Sequence, residues 1–184
     1  FGRQEGGSPT EGLTPRKVAS TYGTGIFQGD PIISMTSGYI QAATSNTVTV
    51  GGIFNGVEYL NSNVGRKIWF NSWPASGAGG DGQAGLSNDP QALFLAQSNG
   101  SPIVFADIGA NIGFATGSGN TSTGLSAYSL DQSTIGTTNT LPFRIVGLWS
   151  QYAPSGSAGA DDASNFNWAV VALNNTDRTS TTGV

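Results

Sequence analysis

The chain contains no cysteine and no histidine among its 184 residues. Without cysteine there is no disulfide framework, no thiolate nucleophile and no thiolate metal ligand. Without histidine the imidazole base of serine and cysteine hydrolases is missing, and so is the commonest zinc ligand. The many Gly-Ser pairs therefore cannot complete a catalytic triad. Charge is scarce too: 10% of residues are charged, against about 25% in an average globular domain. Seven basic residues face eleven acidic ones, for a net charge of -4. That is too few cations for the basic stripe that neutralises nucleic-acid phosphates, so no nucleic-acid partner is expected. No apolar run approaches the ~18 residues of a membrane-crossing helix, and no signal-peptide core is visible. The expectation is a soluble chain made in the cytoplasm, with no membrane partner.

What the chain has in quantity is glycine, 28 residues, together with 10% aromatics that include four tryptophans. Low charge with that many aromatics is not the composition of disorder. From Thr24 onward, short runs rich in Ile, Val, Phe, Tyr and Trp alternate with turn residues; SGYIQA, RKIWFNSW, QALFLAQS, SPIVFADI, NIGFAT, GLSAYSL, PFRIVGLWS and FNWAVVALN are examples. Val48 and Val50 alternate with Thr47 and Thr49 in the manner of a half-buried strand. Turn chemistry separates the runs at Ser98–Gly100, Gly117–Gly124 and Pro154–Asp162. About ten short strands at this spacing predict an all-β fold, an antiparallel β-sandwich or barrel of jelly-roll-like kind. One helical turn is conceivable over Asp89–Ala96, with Pro90 at its first position. Residues 1–20 have no apolar period and read as an extended N-terminal arm on a single β-rich domain, 21–184. The arm carries Arg3, Arg16 and Lys17, three of the seven basic residues.

A core of Gly-Ile-Phe-amide-Gly occurs twice, at Gly25–Gly29 and Gly52–Gly56. A repeat array would show a third unit about 27 residues on, where the sequence is GGDGQAG. The glycines instead suggest strands that bend or bulge around an Ile-Phe pair whose side chains point to opposite, buried faces.

The acids Asp81, Asp161 and Asp162 are the best candidates for a metal or an acid–base pair. Neither of their loops has the alternating oxygen ligands and distal Glu of a calcium loop. Glycosidase chemistry needs two carboxylates at a set separation, which these scattered acids do not specify. We expect no catalytic residue, no metal and no cofactor. Among the tryptophans, Trp69, Trp149 and Trp168 sit in apolar runs and read as core or subunit interface. Trp73, before Pro74, reads as the exposed one. Trp69 and Trp73 are spaced to share a strand face.

Read in order, IFQGDPI (Ile26–Ile32), GGIFNGVEYL (Gly51–Leu60), Trp73-Pro74, NDPQALFLAQSNG (Asn88–Gly100), DIGANIGF (Asp107–Phe114), GLSAYSL (Gly124–Leu130), LPFRIVGL (Leu141–Leu148) and NWAVVALNN (Asn167–Asn175) resemble the head decoration, or cement, proteins of tailed bacteriophages. The order and spacing of these weak phrases carries the resemblance, over roughly residues 22 to 175. Asn88 stands where that group commonly has Asp, and the loops GSGNTSTG and PSGSAGADD are particular to this chain. The resemblance implies a β-rich homotrimer at threefold and quasi-threefold positions on the outer surface of the capsid, bound to the major capsid protein, with no catalysis. Arg3, Arg16 and Lys17 are then candidate capsid contacts. The alternative is a carbohydrate-binding, lectin-like sandwich on a virion surface, with Trp73 and Tyr152 as glycan contacts.

Overall fold

The computed structural model describes residues 2–4, 12–149, 163–180 and 183. The chain is all-β, with antiparallel sheets packed together. In chain order the strands are β1 (Gly2–Gln4), β2 (Thr14–Val18), β3 (Ile26–Phe27), β4 (Pro31–Ser34), β5 (Ile40–Ala42), β6 (Gly52–Asn61), β7 (Arg66–Phe70), β8 (Ser72–Trp73), β9 (Gly82–Ser87) and β10 (Leu93–Gln97). A 3₁₀ turn at Phe105–Asp107 follows, then β11 (Asn111–Ala115), β12 (Ser129–Gly136), β13 (Phe143–Leu148) and β14 (Trp168–Leu173).

One large sheet runs β1-β10-β14-β13-β11-β12; the other runs β2-β9-β6-β4-β5, with β7 added to the far end of β6, and β3 and β8 form a small two-stranded sheet. Each large sheet curls until its ends meet. In the first, Ser98 beside β10 bridges Leu130 of β12, and the Asn99 amide donates to the Leu130 carbonyl at 2.8 Å. In the second, Lys17 of β2 bridges Tyr39 at the start of β5. Curling of this kind leaves little unpaired strand edge.

Each curled sheet has its own core. The first holds Phe94, Ile112, Phe114, Leu130, Phe143, Ile145 and Val171; the second holds Val18, Ile32, Phe54, Val57, Trp73 and Leu86. Adjacent side chains on a strand point to opposite faces, and β6 uses this to serve both: Ile53 enters the first core and its neighbour Phe54 the second. The flanking glycines allow it. Gly52 and Gly56 have φ of 139° and 137°, and the pairing of β6 with β9 is bulged between Phe54 and Gly56.

The second Gly-Ile-Phe unit lies against the first. The Gly29 amide donates to the Phe54 carbonyl at 2.8 Å, the Phe54 amide donates to the Asp30 carbonyl at 2.9 Å, and Gln28 Nε2 donates to Asn55 Oδ1 at 2.9 Å. The two similar phrases are therefore neighbours in space, joined through the turn that follows β3 and locked through their equivalent amide side chains.

Several local expectations change. GGDGQAG, taken from its glycines as loop, supplies the start of β9, which pairs with β2 on one side and β6 on the other. Glycine is used there for lack of room: a Cβ at Gly82 would stand 2.5 Å from Trp73 Cζ3 and 2.8 Å from Val57 Cγ2. The segment SPIVFADI, expected as strand, is loop and 3₁₀ turn, while β12 lies in SLDQSTIG, beyond the run expected at Gly124–Leu130. Val50 makes an isolated bridge to Thr176 instead of lying in a strand. Over Asp89–Ala96 the helical reading yields to one turn and then β10: Asp89 Oδ1 accepts the Gln91 amide at 2.9 Å, and strand begins at Leu93.

Within the expected arm, Thr14–Val18 pairs with β9 along its full length, and Val18 is completely buried in the second core. The sheet therefore begins inside residues 1–20.

Gly82→Ala should destabilise the fold by about 1–3 kcal/mol through overpacking against Trp73 and Val57, read as a lower urea midpoint. Gly52→Val combined with Gly56→Val should fail to give soluble folded protein, since both positions combine left-handed-side φ with steric blockade.

Candidate functional site

The basic residues of the N-terminal segment do not form one cluster of free cations. Arg3 lies in β1 with its backbone opposite Phe94 of β10. Arg16, on β2, turns its Nη2 to Asp177 Oδ2 at 3.2 Å and to Ser34 Oγ at 3.2 Å, and Ser34 itself donates to the same carboxylate oxygen at 2.7 Å. This triangle fastens the C-terminal segment to β2 and β4. Lys17, next along β2, is exposed, and its charge helps to hold the Asp81 carboxyl below its ordinary value.

Asp81 joins three segments: Oδ1 accepts the Ser20 amide at 2.9 Å and Oδ2 accepts the Tyr39 hydroxyl at 2.8 Å. The Ser20 amide is the leading cause of its lowered pKa, followed by the Tyr39 hydroxyl. It acts as a surface clamp where the second sheet closes. Asp161, Asp162 and Tyr152 lie outside the described residues. Among the described residues, no three Cys, His, Asp or Glu side chains converge as a metal site would require.

The tryptophan expected to be exposed is buried. Trp73 is 1% exposed, pairs through β8 with Ile26 of β3, donates its indole N–H to the Tyr22 carbonyl at 3.1 Å and meets Tyr59 edge to face. It plugs the second core and cannot stack on a glycan. Trp69 and Trp168, expected in the core or at a subunit interface, are 52% and 38% exposed on the single chain, which rules out the core for both. Trp69 and Trp73 do not share a face, because the chain breaks at Asn71 between β7 and β8. Alternation gave no warning of this, since Trp69 leans over the bare backbone of Gly56: a Cβ there would lie 2.5 Å from its Cζ2.

Two surface features stand out. The first is the β6–β7 hairpin, which carries Leu60, Val64, Trp69 and Phe70 as exposed apolar side chains. Strand β7 pairs with β6 along one edge, and among the described residues no strand pairs with its other edge. Arg66 and Lys67 sit at its start, with Lys67 paired to Glu58 at 3.4 Å on the surface.

The second is a groove of about 970 Å³ where the two sheets meet, with Ile53, Phe54 and Phe94 at its base and Leu13, Leu125 and Trp168 on its rim. The Gln28–Asn55 amide pair lies in it.

Beside the groove, Asp30 is buried. Its Oδ2 accepts the Phe27 amide at 2.8 Å, closing the turn at Gly29, where φ is 103°, while Oδ1 is buried without a partner at hydrogen-bonding geometry. Burial raises its pKa above the ordinary 3.8, against the opposing effects of the Ser126 side chain and the Phe27 amide. Nearby Tyr128 is pushed up to about 12, mainly by burial, and donates its hydroxyl to the Ala43 carbonyl at 3.0 Å. These groups serve the turn and the sheet junction.

No protein-family model, curated protein or solved structure matches this chain.

Because the folded-state pKa of Asp30 is raised, its contribution to stability is fully present below 3.8 and is lost as pH rises through the folded value. Asp30→Asn keeps an acceptor for the Phe27 amide and removes the buried charge. Its stability relative to the parent should therefore increase between pH 3.5 and pH 7 in urea titrations. A difference independent of pH would show that Asp30 does not carry this linkage.

Proposed function

We propose that this protein is a structural virion component, a decoration protein on the outer surface of a bacteriophage capsid. In this reading it is a homotrimer at threefold and quasi-threefold positions, bound to the major capsid protein through its N-terminal segment, with no catalytic activity and no cofactor. The ordered series of phrases from Ile26 to Asn175 supports the assignment. So does a composition without histidine or cysteine.

The observation that carries the capsid-contact reading is the attachment of β1. Gly2–Gln4 adds to the edge of β10 by a three-residue antiparallel register, Gly2 to Leu95, Arg3 to Phe94 and Gln4 to Leu93. So short an edge strand can exchange one backbone ladder for another, which is the chemistry of strand addition between proteins. Arg3 and Lys17 are the proposed polar contacts to an acidic capsid surface; Arg16 would contribute with the guanidinium face that Asp177 and Ser34 leave open.

The fold decides which truncation tests this. Removing residues 1–20 would delete β2 and a core side chain, Val18, so loss of binding would report unfolding. Removing residues 1–11 leaves β2 intact. The truncated protein should keep its urea midpoint and bind undecorated capsids at least about tenfold more weakly. Unchanged affinity would refute the contact.

The exposed β7 edge and its Trp69 and Phe70 supply the surface for self-association, because an open apolar edge strand is stable in solution only when something covers it. Trp69→Ser with Phe70→Ser should convert the trimer to a folded monomer in sedimentation velocity. A parent protein that sediments as a monomer would remove the trimer from the proposal.

A further inference from the structure

We infer that the groove between the two sheets is a binding site for a neutral oligosaccharide, with Trp168 as its stacking platform. Phe94 and Leu95 of its lining pair with β1, but the sugar-binding side chains lie elsewhere, so the site does not depend on the capsid contact. The lining excludes most other ligand classes. Among the described residues, no Arg, Lys, Asp or Glu side chain lines the groove, so they offer no charged partner to a phosphate, a nucleotide or a metal ion.

It is also not a simple apolar slot. Gln28, Asn55, Ser87, Gln97, Ser126 and Ser129 line it between the buried base and the apolar rim. Hydroxyl-rich neutral ligands are met by this combination of amides, hydroxyls and one aromatic face, whereas a lipid chain would leave the polar groups unpaired.

The polar groups are held in place and retain bonding capacity. Gln28 Nε2 is spent on Asn55 Oδ1 at 2.9 Å, which fixes both side chains and leaves Gln28 Oε1 as an acceptor and Asn55 Nδ2 as a donor. Gln97 Nε2 donates to the Phe166 carbonyl at 2.9 Å, leaving Gln97 Oε1 as an acceptor. Gln97 is the cross-strand partner of Trp168, so an acceptor and an indole stand side by side on β10 and β14. Phe166, two residues before Trp168, has φ of 58° and is 54% exposed. A phenylalanine in the left-handed region is strained, and its amide is bonded to the Gly100 carbonyl at 2.9 Å. That bond and the Gln97 bond to its carbonyl hold the entry to β14 at both ends of the Phe166 residue.

A peptide strand fits the groove less well. Three of the strands that line it are paired along both edges while β1 is in place: β10 lies between β1 and β14, β6 between β4 and β9, and β9 between β2 and β6. On those strands recognition falls to side chains. The groove volume, about 970 Å³, lies at the upper end of the ~300–1,000 Å³ of small-molecule sites, which suits an oligomer of several sugar rings better than a single ring.

The test uses the full chain on an array of neutral oligomers of glucose, galactose, mannose and N-acetylglucosamine beside sialylated and sulfated glycans. The best array ligand is then titrated by calorimetry. Binding should be confined to neutral glycans and should shift the tryptophan emission. Trp168→Ala and Gln97→Ala should each weaken it by about tenfold or more. Trp168→Phe should keep most of the affinity and lose the emission change. Trp69→Ala, on the distant hairpin, should bind as the parent does. Circular dichroism and urea midpoints separate lost binding from lost folding, and Trp168→Phe serves if Trp168→Ala does not fold. No neutral glycan bound at millimolar concentration, a preference for the anionic glycans, or parental affinity in Trp168→Ala and Gln97→Ala would each overturn the assignment.

Discussion

Everything in this structure depends on two neighbouring side chains that must be buried on opposite sides of one strand. Ile53 and Phe54 enter different cores, so β6 has no solvent face at that point and its backbone has to pass between two packed layers. Ordinary residues before and after the pair would collide with what covers them. Gly52 lies against Asn88 and Ser87, and Gly56 against Trp69 and the Phe70 carbonyl. Around this point the neighbouring Gly-Ile-Phe unit, the bulge in β6–β9 pairing and the turn at Gly29 are all placed. The protein thus obtains its layered body without long strands, helices, disulfides or many charges.

That constraint also explains which parts were legible in the sequence. Fold class was, because short β-rich runs separated by turn residues admit few alternatives. The burial of Ile53 and Phe54 was legible as well, from their adjacency between glycines. Strand β9 was not: in Gly82–Ser87 the signal for a turn, glycine, is indistinguishable from glycine required by the Trp73 ring and the Leu13 side chain packing on the strand. Nor was β2, whose Pro15, Arg16 and Lys17 read as solvated arm until β9 is known to lie beside them.

The candidate sites were less legible than the fold, for a related reason. Exposure of a tryptophan is decided by neighbours distant in sequence. Trp73 is covered because β3 and Tyr59 come to it, while Trp69 is exposed because it lies on an added edge strand. The groove combines Gln28, Asn55, Gln97 and Trp168, which come from four separate segments, and no spacing rule unites them. Its one sequence-level trace was the repeated amide after Ile-Phe, visible as a similarity but not as a hydrogen bond. Composition was more informative about what the surface cannot do, since the lack of imidazole and thiol holds wherever the strands run.

The triangle of Arg16, Ser34 and Asp177 has a kinetic meaning as well as a structural one. Arg16 and Asp177 are separated by 161 positions, and Thr176 reaches the same region by its bridge to Val50. Contacts of such high sequence separation form late and slow the approach to the native state. Strands β4, β5, β6 and β9 pair with one another over much shorter separations. The triangle instead closes a loop of 161 positions, so that forming it orders both ends of that loop at once.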